Sequence, residues 1–204
     1  MDAKLAVIIV HDLKNALAVL ESELRALSDL AGAPDRERAV HAHDTCLALQ
    51  EKLIGFLTLY KASSQGLSAQ IDAVCPEDFL NAVIRQLNMS KPGVTVSLDG
   101  QPMPVVGFFD ENLVGLALEA ALQNALRFAR SRIELGCRQE EGYLVFSVRD
   151  DGPGIGTKEE TPSTGVGMDL CNVIGGAHDR AGKKGAALLR NHPAGGALFE
   201  LQLP

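Results

Sequence analysis

Two apolar seams run through the first third of the chain. In residues 3–31 the apolar side chains recur at alternating steps of three and four, at Val10, Leu13, Leu17, Leu20, Leu24 and Leu27. The same spacing recurs in residues 35–63, at Cys46, Leu49, Leu53, Phe56 and Tyr60. This is the a/d spacing of a heptad, which places the apolar side chains on one side of an α-helix. The pattern predicts two long helices, with Pro34 near the start of the second.

Two long helices joined by a short turn predict an antiparallel helical hairpin. Because two helices alone bury too little apolar surface, we expect the hairpin to pair with a second copy in a four-helix bundle, which makes the chain a homodimer. The stretch Ser-Ser-Gln-Gly-Leu-Ser at 63–68 has the composition of a linker. We therefore predict two domains, residues 1–66 and residues 67–204.

The second domain carries short alternating strands between amphipathic helices. The helices are predicted at 76–87, 111–129 and 169–178, and the strands at 94–98, 132–137, 143–149, 186–190 and 197–203. A Gln-Glu-Glu-Gly turn joins the second and third strands, and a Pro-Ala-Gly-Gly turn joins the last two. The order predicts an α+β fold with helices on one face of a sheet.

Composition and charge narrow the class of protein. With 46% hydrophobic residues the chain can bury a core, and a net charge of −7 argues against nucleic acid as its main partner. The four cysteines stand far apart without a CxxC spacing, which predicts free thiols in a reducing cytoplasm and no metal site built from them. The apolar run near the N-terminus has six residues, too few to cross a membrane. We expect a cytoplasmic protein without a membrane segment.

Three short motifs in the second domain carry chemistry that a nucleotide site needs. A carboxylate at a strand end, Asp150, can accept a hydrogen bond from an exocyclic amine such as that of adenine. Two glycines just after it, Gly152 and Gly154, let the backbone approach a flat base. Each of these signals is weak alone, because Asp-Asp-Gly-Pro-Gly is also a common turn sequence.

The other two motifs supply groups for phosphate and metal. Gly165 and Gly167 open a predicted helix, where backbone N–H groups and the helix dipole favour phosphate. The side-chain oxygen of Asn124, inside a predicted helix, is a suitable ligand for Mg²⁺. Taken in this order and in these contexts, the three motifs predict a nucleotide site.

The polar cluster His-Asp-Leu-Lys-Asn at 11–15 lies beside the first seam. The heptad places His11, Asp12 and Asn15 on the solvent-facing side of the helix, with His11 and Asn15 on one face. A neutral imidazole is a competent nucleophile near pH 7, and Asp12 can hold the proton on its other nitrogen. An exposed His-Asp pair on a helix is ordinary by itself, so this interpretation depends on the nucleotide motifs downstream.

Other histidines are weaker candidates for a phosphoacceptor. His43-Asp44 repeats the dipeptide but lacks the Leu-Lys-Asn continuation, and His41 lies in the same predicted helix. We assign a structural or surface role to His178 and His192.

Together these motifs resemble those of sensor histidine kinases. Residues 124–128 resemble the N box, residues 150–155 the G1 box, residues 165–168 the G2 box and residues 11–17 the H box. The second half is similar to the ATP-binding domain of the histidine kinase, gyrase and Hsp90 superfamily, which implies an α/β sandwich of that type. The first half resembles the dimerisation and phosphoacceptor hairpin of the same kinases.

The resemblance implies a soluble histidine kinase core that autophosphorylates His11 with Mg-ATP and passes the phosphoryl group to a response-regulator aspartate. It makes His11, Asp12 and Asn15 the catalytic residues, with Asn15 in the position that serves phosphatase activity in relatives. It implies that Asn124 binds Mg²⁺. It also implies that seven residues bind ATP: Asn124, Arg127, Asp150, Gly152, Gly154, Gly165 and Gly167. The implied partners are a receiver domain, a second copy of the chain and a separate sensor or input protein.

The chain departs from the family pattern at places that keep an alternative open. Ala120 stands where many relatives have a polar residue, four positions before the metal-binding asparagine, and the stretch between Gly156 and Gly165 leaves a short ATP lid. The alternative is a dimeric histidine phosphotransferase in a phosphorelay, with a partly degenerate ATP domain. The presence of the nucleotide-site residues argues against this alternative: Asn124, Asp150, Gly152, Gly154, Gly165 and Gly167. An ATP-binding anti-sigma switch kinase is a third reading, which the histidine-bearing hairpin argues against.

Overall fold

A computed structural model describes residues 17–27, 33–87, 93–156 and 166–204. The predicted catalytic residues His11, Asp12 and Asn15, and the predicted phosphate-binding Gly165, lie outside the described residues. The chain divides into two compact units, Met1–Gly66 and Leu67–Pro204.

The described part of the first unit consists of two helices. Helix α1 covers 17–27 and helix α2 runs through Ala33–Gln65, with Pro34 in its first turn, where a missing N–H costs no helical hydrogen bond. The thiol of Cys46 lies 3.5 Å from the carbonyl oxygen of Leu17, and both side chains are buried. The two helices therefore lie side by side, as in a helical hairpin.

Much of the predicted seam is uncovered in the single chain. Leu20, Leu27, Leu49 and Phe56 belong to the seam, yet each is between 49% and 57% exposed. Large apolar side chains in a row on a helical surface are unfavourable in water and mark a surface that another element covers.

The second unit is built on a five-stranded sheet and two short ribbons. Its strands are β1 (Asp72–Val74), β2 (Thr95–Leu98), β3 (Gly107–Phe109), β4 (Arg132–Glu140), β5 (Tyr143–Asp150), β6 (Asp179–Arg180), β7 (Lys183–Lys184), β8 (Ala186–Asn191) and β9 (Ala197–Leu203). The sheet has the order β2-β4-β5-β9-β8, in which β2 and β4 are parallel and the other pairs antiparallel. The ribbons pair β1 with β3 and β6 with β7.

Helices α3 (Pro76–Leu87), α4 (Glu111–Phe128) and α5 (Val166–Ala177) share one core with the sheet. Alternate residues of the central strands enter that core, which gives each strand one face toward the helices. Phe79, Phe109 and Phe146 meet edge to face, with ring centroids 5.0 to 5.9 Å apart. The predicted α+β class and the sandwich of helices on one face of a sheet are confirmed.

Some predicted element boundaries were wrong. The turn between β4 and β5 has two residues, Glu141 and Gly142, both with positive φ (52° and 83°), in place of the predicted four. Such a tight turn matches the twist of paired strands, and the pairing therefore continues to Glu140 and Tyr143. Helix α5 begins at Val166, three residues before its predicted start. The two ribbons were not predicted, because strands of two or three residues show no alternation.

His178 ties the end of α5 to the start of α4. Its buried ring lies with Nδ1 2.8 Å from the carbonyl oxygen of Ile174, while Nε2 accepts a hydrogen bond from the Asp110 N–H at 3.1 Å. Nδ1 therefore donates and Nε2 carries no proton, which makes the ring neutral. The Asp110 carboxylate caps α4 at Leu113 and also accepts from the Gln70 N–H. The structural role assigned to His178 agrees with these contacts.

Acid should destabilise the second unit through His178. Burial lowers the pKa of His178 below its ordinary 6.5, outweighing the opposite effects of Ile174 and Asp110. As the pH falls through 6.5, the unfolded chain takes up a proton on His178 that the folded chain does not. The stabilisation that the neutral, buried ring provides is therefore present above pH 6.5 and is lost as the pH falls below it. His178→Gln should lower the melting temperature near neutral pH and reduce its further fall between about pH 7.5 and pH 5.5. Thermal unfolding at both pH values measures this, and an undiminished fall in the variant would contradict it.

Candidate nucleotide-binding site

The last residue of β5 is a buried carboxylate. Asp150 is 7% exposed, and its Oδ1 accepts hydrogen bonds from the N–H of Gly152 at 2.7 Å and of Ala197 at 3.2 Å. Within the described part of the chain its Oδ2 accepts no hydrogen bond. A buried carboxylate oxygen without a donor is costly, so this atom is poised to accept from a bound group. The amino group of a base such as adenine is a donor that fits it.

The loop that follows β5, residues 151–156, is named the G1 loop, and it packs against the end of α4. A Cβ at Gly152 would lie 2.6 Å from the carbonyl oxygen of Phe128 and 2.8 Å from Oδ1 of Asp150. Only glycine permits this approach, because any side chain would push the loop away from the helix. The contact fixes the distance between the G1 loop and α4, the helix that carries Asn124.

The neighbouring aspartate, Asp151, forms hydrogen bonds within the protein. Asp151 accepts hydrogen bonds from the N–H of Arg130 at 2.8 Å, from the N–H of Ser131 at 3.1 Å and from the hydroxyl of Ser131 at 2.6 Å. Desolvation works to raise the pKa of Asp151, but the hydrogen bonds from Ser131 and the nearby backbone outweigh it and hold the pKa well below its usual range. Asp151 therefore stays charged and anchors the loop to the segment between α4 and β4.

The turn between β8 and β9 contacts the other side of the G1 loop. The sequence alone did not predict these contacts. Gly196 lies against the backbone carbonyl of Asp150, where a Cβ would overlap the oxygen, and the next residue donates to Oδ1. The side chain of Asn191 accepts a hydrogen bond from the N–H of Ile155 at 2.6 Å. The pair Gly195-Gly196 before the last strand is a signal in the sequence, but its composition predicts only a turn.

Asn124 faces the start of α5. Its side chain is exposed, and its Nδ2 lies 3.8 Å from the position that a Cβ of Gly167 would take. Gly167 is in the first turn of α5, where backbone N–H groups have no helical acceptor and favour an anion. The structure thus brings the side-chain amide of Asn124, whose oxygen is suited to a hard cation, close to a helix end suited to phosphate.

Two further residues of α4 define this side of the site. The guanidinium of Arg127 lies 5.1 Å from the centre of the Phe128 ring, and Arg127 is three residues after Asn124, on the same side of the helix. Ala120, one turn before Asn124, packs against the core. At that position the helix therefore offers no polar side chain to a metal or a water.

The predicted nucleotide-binding residues follow a continuous path. Gly167 lies beside Asn124, Asn124 stands one turn before the Phe128 carbonyl, and that carbonyl contacts Gly152 beside Asp150. Among the described residues no group of three or more His, Cys, Asp or Glu side chains could hold a metal ion. The four cysteines are free thiols, of which Cys46, Cys137 and Cys171 are buried. No helix in the described ranges has the length and apolar character that crossing a membrane requires.

Comparison with known proteins gives the following relatives. Residues 109–204 match the family model described as histidine kinase-, DNA gyrase B-, and HSP90-like ATPase. The sensor protein PhoQ of Escherichia coli (strain K12) is 31% identical over 185 residues, a match that covers 81% of this chain and 37% of PhoQ. The chain thus spans little more than a third of the length of this relative.

Solved structures of histidine kinases have the same fold. Full-length ShkA, determined in complex with AMPPNP, aligns with 100% of this chain and 46% of its own, at a TM-score of 0.70 and 18% identity. The Acinetobacter baumannii histidine kinase AdeS aligns with 95% of this chain and 96% of its own, at a TM-score of 0.59 and 19% identity. At these identities the likeness establishes the fold.

Proposed function

We propose that the chain is the core of a two-component histidine kinase, because residues 109–204 match the family model described as histidine kinase-, DNA gyrase B-, and HSP90-like ATPase. It binds Mg-ATP in its second unit, phosphorylates His11 and passes the phosphoryl group to an aspartate of a response-regulator receiver domain. The observation that carries the nucleotide part is the buried Oδ2 of Asp150, which lacks a donor within the described structure.

The base is recognised at the G1 loop. The adenine amino group donates to Oδ2 of Asp150, while Oδ1 remains occupied by the N–H groups of Gly152 and Ala197. The glycines of the loop let the flat ring lie close to the backbone. The carboxylate offers an acceptor oxygen at this position and no donor, so a base that presents its own acceptor there is disfavoured and the same contact selects adenine.

The phosphates lie toward the start of α5. Backbone N–H groups near Gly165 and Gly167 hold phosphate oxygens, and Arg127 adds positive charge from α4. Asn124 would supply an oxygen ligand to Mg²⁺, and the charge of that ion would offset the negative charge of the phosphates during transfer. The closeness of Asn124 and Gly167 supports this assignment.

The acceptor of the phosphoryl group is His11, in the predicted first helix. A neutral ring nitrogen of His11 attacks the γ-phosphorus as the bond to the ADP oxygen breaks, and Asp12 holds the proton on the other ring nitrogen. Asn15, four residues later in the sequence and predicted on the same helical face, orients a water for dephosphorylation of the receiver aspartate. We place this chemistry in the cytoplasm.

A second candidate is a dimeric histidine phosphotransferase in a phosphorelay. In that function His11 accepts its phosphoryl group from a phosphorylated receiver, and ATP is not used. The apolar setting of Ala120 favours this candidate, because the helix lacks a polar group one turn before Asn124. Oδ2 of the buried Asp150, which accepts no hydrogen bond from the described residues, favours the kinase, because a site that binds no base gains nothing from such a carboxylate oxygen.

Incubation of the purified chain with γ-labelled ATP and Mg²⁺ separates the two functions. The kinase predicts protein-bound label that is labile in acid and stable in alkali, as expected of a phosphohistidine. A chain that neither binds ATP nor takes up this label, yet is labelled by a phosphorylated receiver domain, is a carrier. Failure of both reactions contradicts both functions.

We propose that the uncovered seam of the first unit is the surface on which two copies of the chain pair. Burying a leucine or phenylalanine side chain contributes about 1.5–3 kcal/mol, and each seam residue is buried twice in a symmetric dimer. Leu49 and Phe56, both at least half exposed in the single chain, are therefore expected to contribute strongly.

The double variant Leu49→Glu/Phe56→Glu should weaken the dimer by more than about tenfold, because it places like charges opposite each other in an apolar seam. Lys61→Glu on the same helix is the control, since it changes the net charge by the same amount on an exposed surface outside the seam. Sedimentation equilibrium measures the dissociation constants, and circular dichroism checks that the helices persist. A double variant that dimerises as tightly as Lys61→Glu would show that the seam is not the interface.

A further inference from the structure

The end of β8 holds the G1 loop through one side chain. Oδ1 of Asn191 accepts a hydrogen bond from the N–H of Ile155 at 2.6 Å, and its Nδ2 faces the carbonyl oxygen of Ile155 at 3.5 Å. The two residues are 36 positions apart in the sequence. The Asn191 amide therefore engages both backbone polar groups of a single residue, Ile155, in a loop that has no strand partner.

The contact between Asn191 and Ile155 requires a glycine at position 154. Its φ is +84°, and a Cβ on it would lie 2.6 Å from Oδ1 of Asn191. Glycine is needed here both for the backbone conformation and for the space that the asparagine side chain occupies. The glycine of the motif and the asparagine outside it are thus two parts of one arrangement.

The loop is held at both of its ends by the β8–β9 hairpin. At the first end, the N–H of Ala197 reaches Oδ1 of Asp150 at 3.2 Å. At the other, Asn191 holds Ile155. We propose that Asn191 is a positioning residue, which fixes the Gly154–Ile155 backbone in the conformation that binds the nucleotide base. The proposal rests on the proposed ATP site and adds to it a residue outside the sequence motifs.

The expected effect follows from preorganisation. Without the Asn191 bond the loop must become ordered when the nucleotide binds, and that cost is subtracted from the affinity. Asn191→Ala should therefore weaken ATP binding by about fivefold, the size expected from the loss of one ordinary hydrogen bond. Asn191→Asp keeps the acceptor oxygen and should preserve the hold on Ile155.

The chain offers a matched control in Asn172 of helix α5, which bonds to the same strand. Oδ1 of Asn172 accepts a hydrogen bond from the N–H of Ala187, near the start of β8, at 3.1 Å. Asn172→Ala thus removes the same kind of bond from the same strand, away from the G1 loop. It should lower thermal stability about as much as Asn191→Ala and leave ATP affinity unchanged.

Amide hydrogen exchange and nucleotide affinity, measured on the full chain, test the proposal together. In the nucleotide-free protein, the Ile155 amide should lose protection in Asn191→Ala and keep it in Asn191→Asp and Asn172→Ala. Titration with ATP should then show weaker binding than in the unaltered chain for Asn191→Ala, and unchanged binding for Asn172→Ala. Unchanged protection of Ile155, or equal affinities of the two alanine variants, would overturn the proposal.

The same experiment keeps the two proposals apart. If the unaltered chain binds no ATP, the proposed function fails and the affinity effect of Asn191 fails with it. The exchange of the Ile155 amide in Asn191→Ala then decides by itself whether Asn191 holds the loop.

Discussion

Asp150→Asn should reverse the base preference of the nucleotide site. We expect the variant to bind ATP about 100-fold more weakly or worse, and to prefer ITP, whose base carries a carbonyl oxygen in place of the adenine amino group. The unaltered chain should have the opposite preference. Competition of the two nucleotides against a fluorescent ATP analogue measures both affinities.

The reversal follows from the fixed orientation of the side chain. Oδ1 of Asp150 accepts from the N–H groups of Gly152 and Ala197, so an asparagine must place its own oxygen there to keep those bonds. Its NH₂ group then takes the position of Oδ2 and presents a donor to the base. Two donors face each other when adenine binds, whereas the carbonyl of hypoxanthine accepts from the amide.

Asp151→Asn is the matched control for this prediction. The Asp151 carboxylate is bonded to Arg130 and Ser131, so its replacement should lower stability without altering the choice of base. A variant Asp150→Asn that binds ATP as tightly as the unaltered chain would show that Oδ2 does not contact the base. Equal shifts in base preference for both variants would point to a general distortion of the loop.

Features with a strong local signal could be predicted from the sequence. The heptad spacing around Leu17 and Cys46 predicts the paired helices, and long periodic segments such as α4 gave the right type and nearly the right ends. The G1 motif pointed to the strand end where Asp150 lies. These predictions depend on residues close together in the chain, where side-chain periodicity and turn composition act directly.

Features that depend on distant residues could not be predicted in this way. The contact of Asn191 with Ile155 joins positions 36 apart, and that of Ala197 with Asp150 joins positions 47 apart. An asparagine at a strand end gives no indication of which loop it will reach. For the same reason, the sequence alone could not show that Asp151 is held by internal hydrogen bonds, while Oδ2 of Asp150 accepts no hydrogen bond from the described residues.

His11→Gln should abolish the acid-labile label that the unaltered chain takes up from γ-labelled ATP. Glutamine has a side chain of similar length and polarity, but its amide nitrogen is not a nucleophile, so no phosphoryl group can be transferred to it. ATP affinity should be unchanged, because the predicted acceptor lies in the first unit and the nucleotide residues in the second. The pairing of two copies should also persist, since His11 is predicted on the solvent-facing side of the helix.

The repeated dipeptide provides the control. His43→Gln removes the other His-Asp pair of the first unit and should leave labelling intact, because the residues after it lack the Leu-Lys-Asn continuation. Label that persists in His11→Gln and disappears in His43→Gln would move the acceptor to α2. Label lost in both variants would point to a defect in the hairpin, which their dimer dissociation constants would reveal. Only loss confined to His11→Gln, with ATP still bound, identifies His11 as the nucleophile that receives the γ-phosphoryl group.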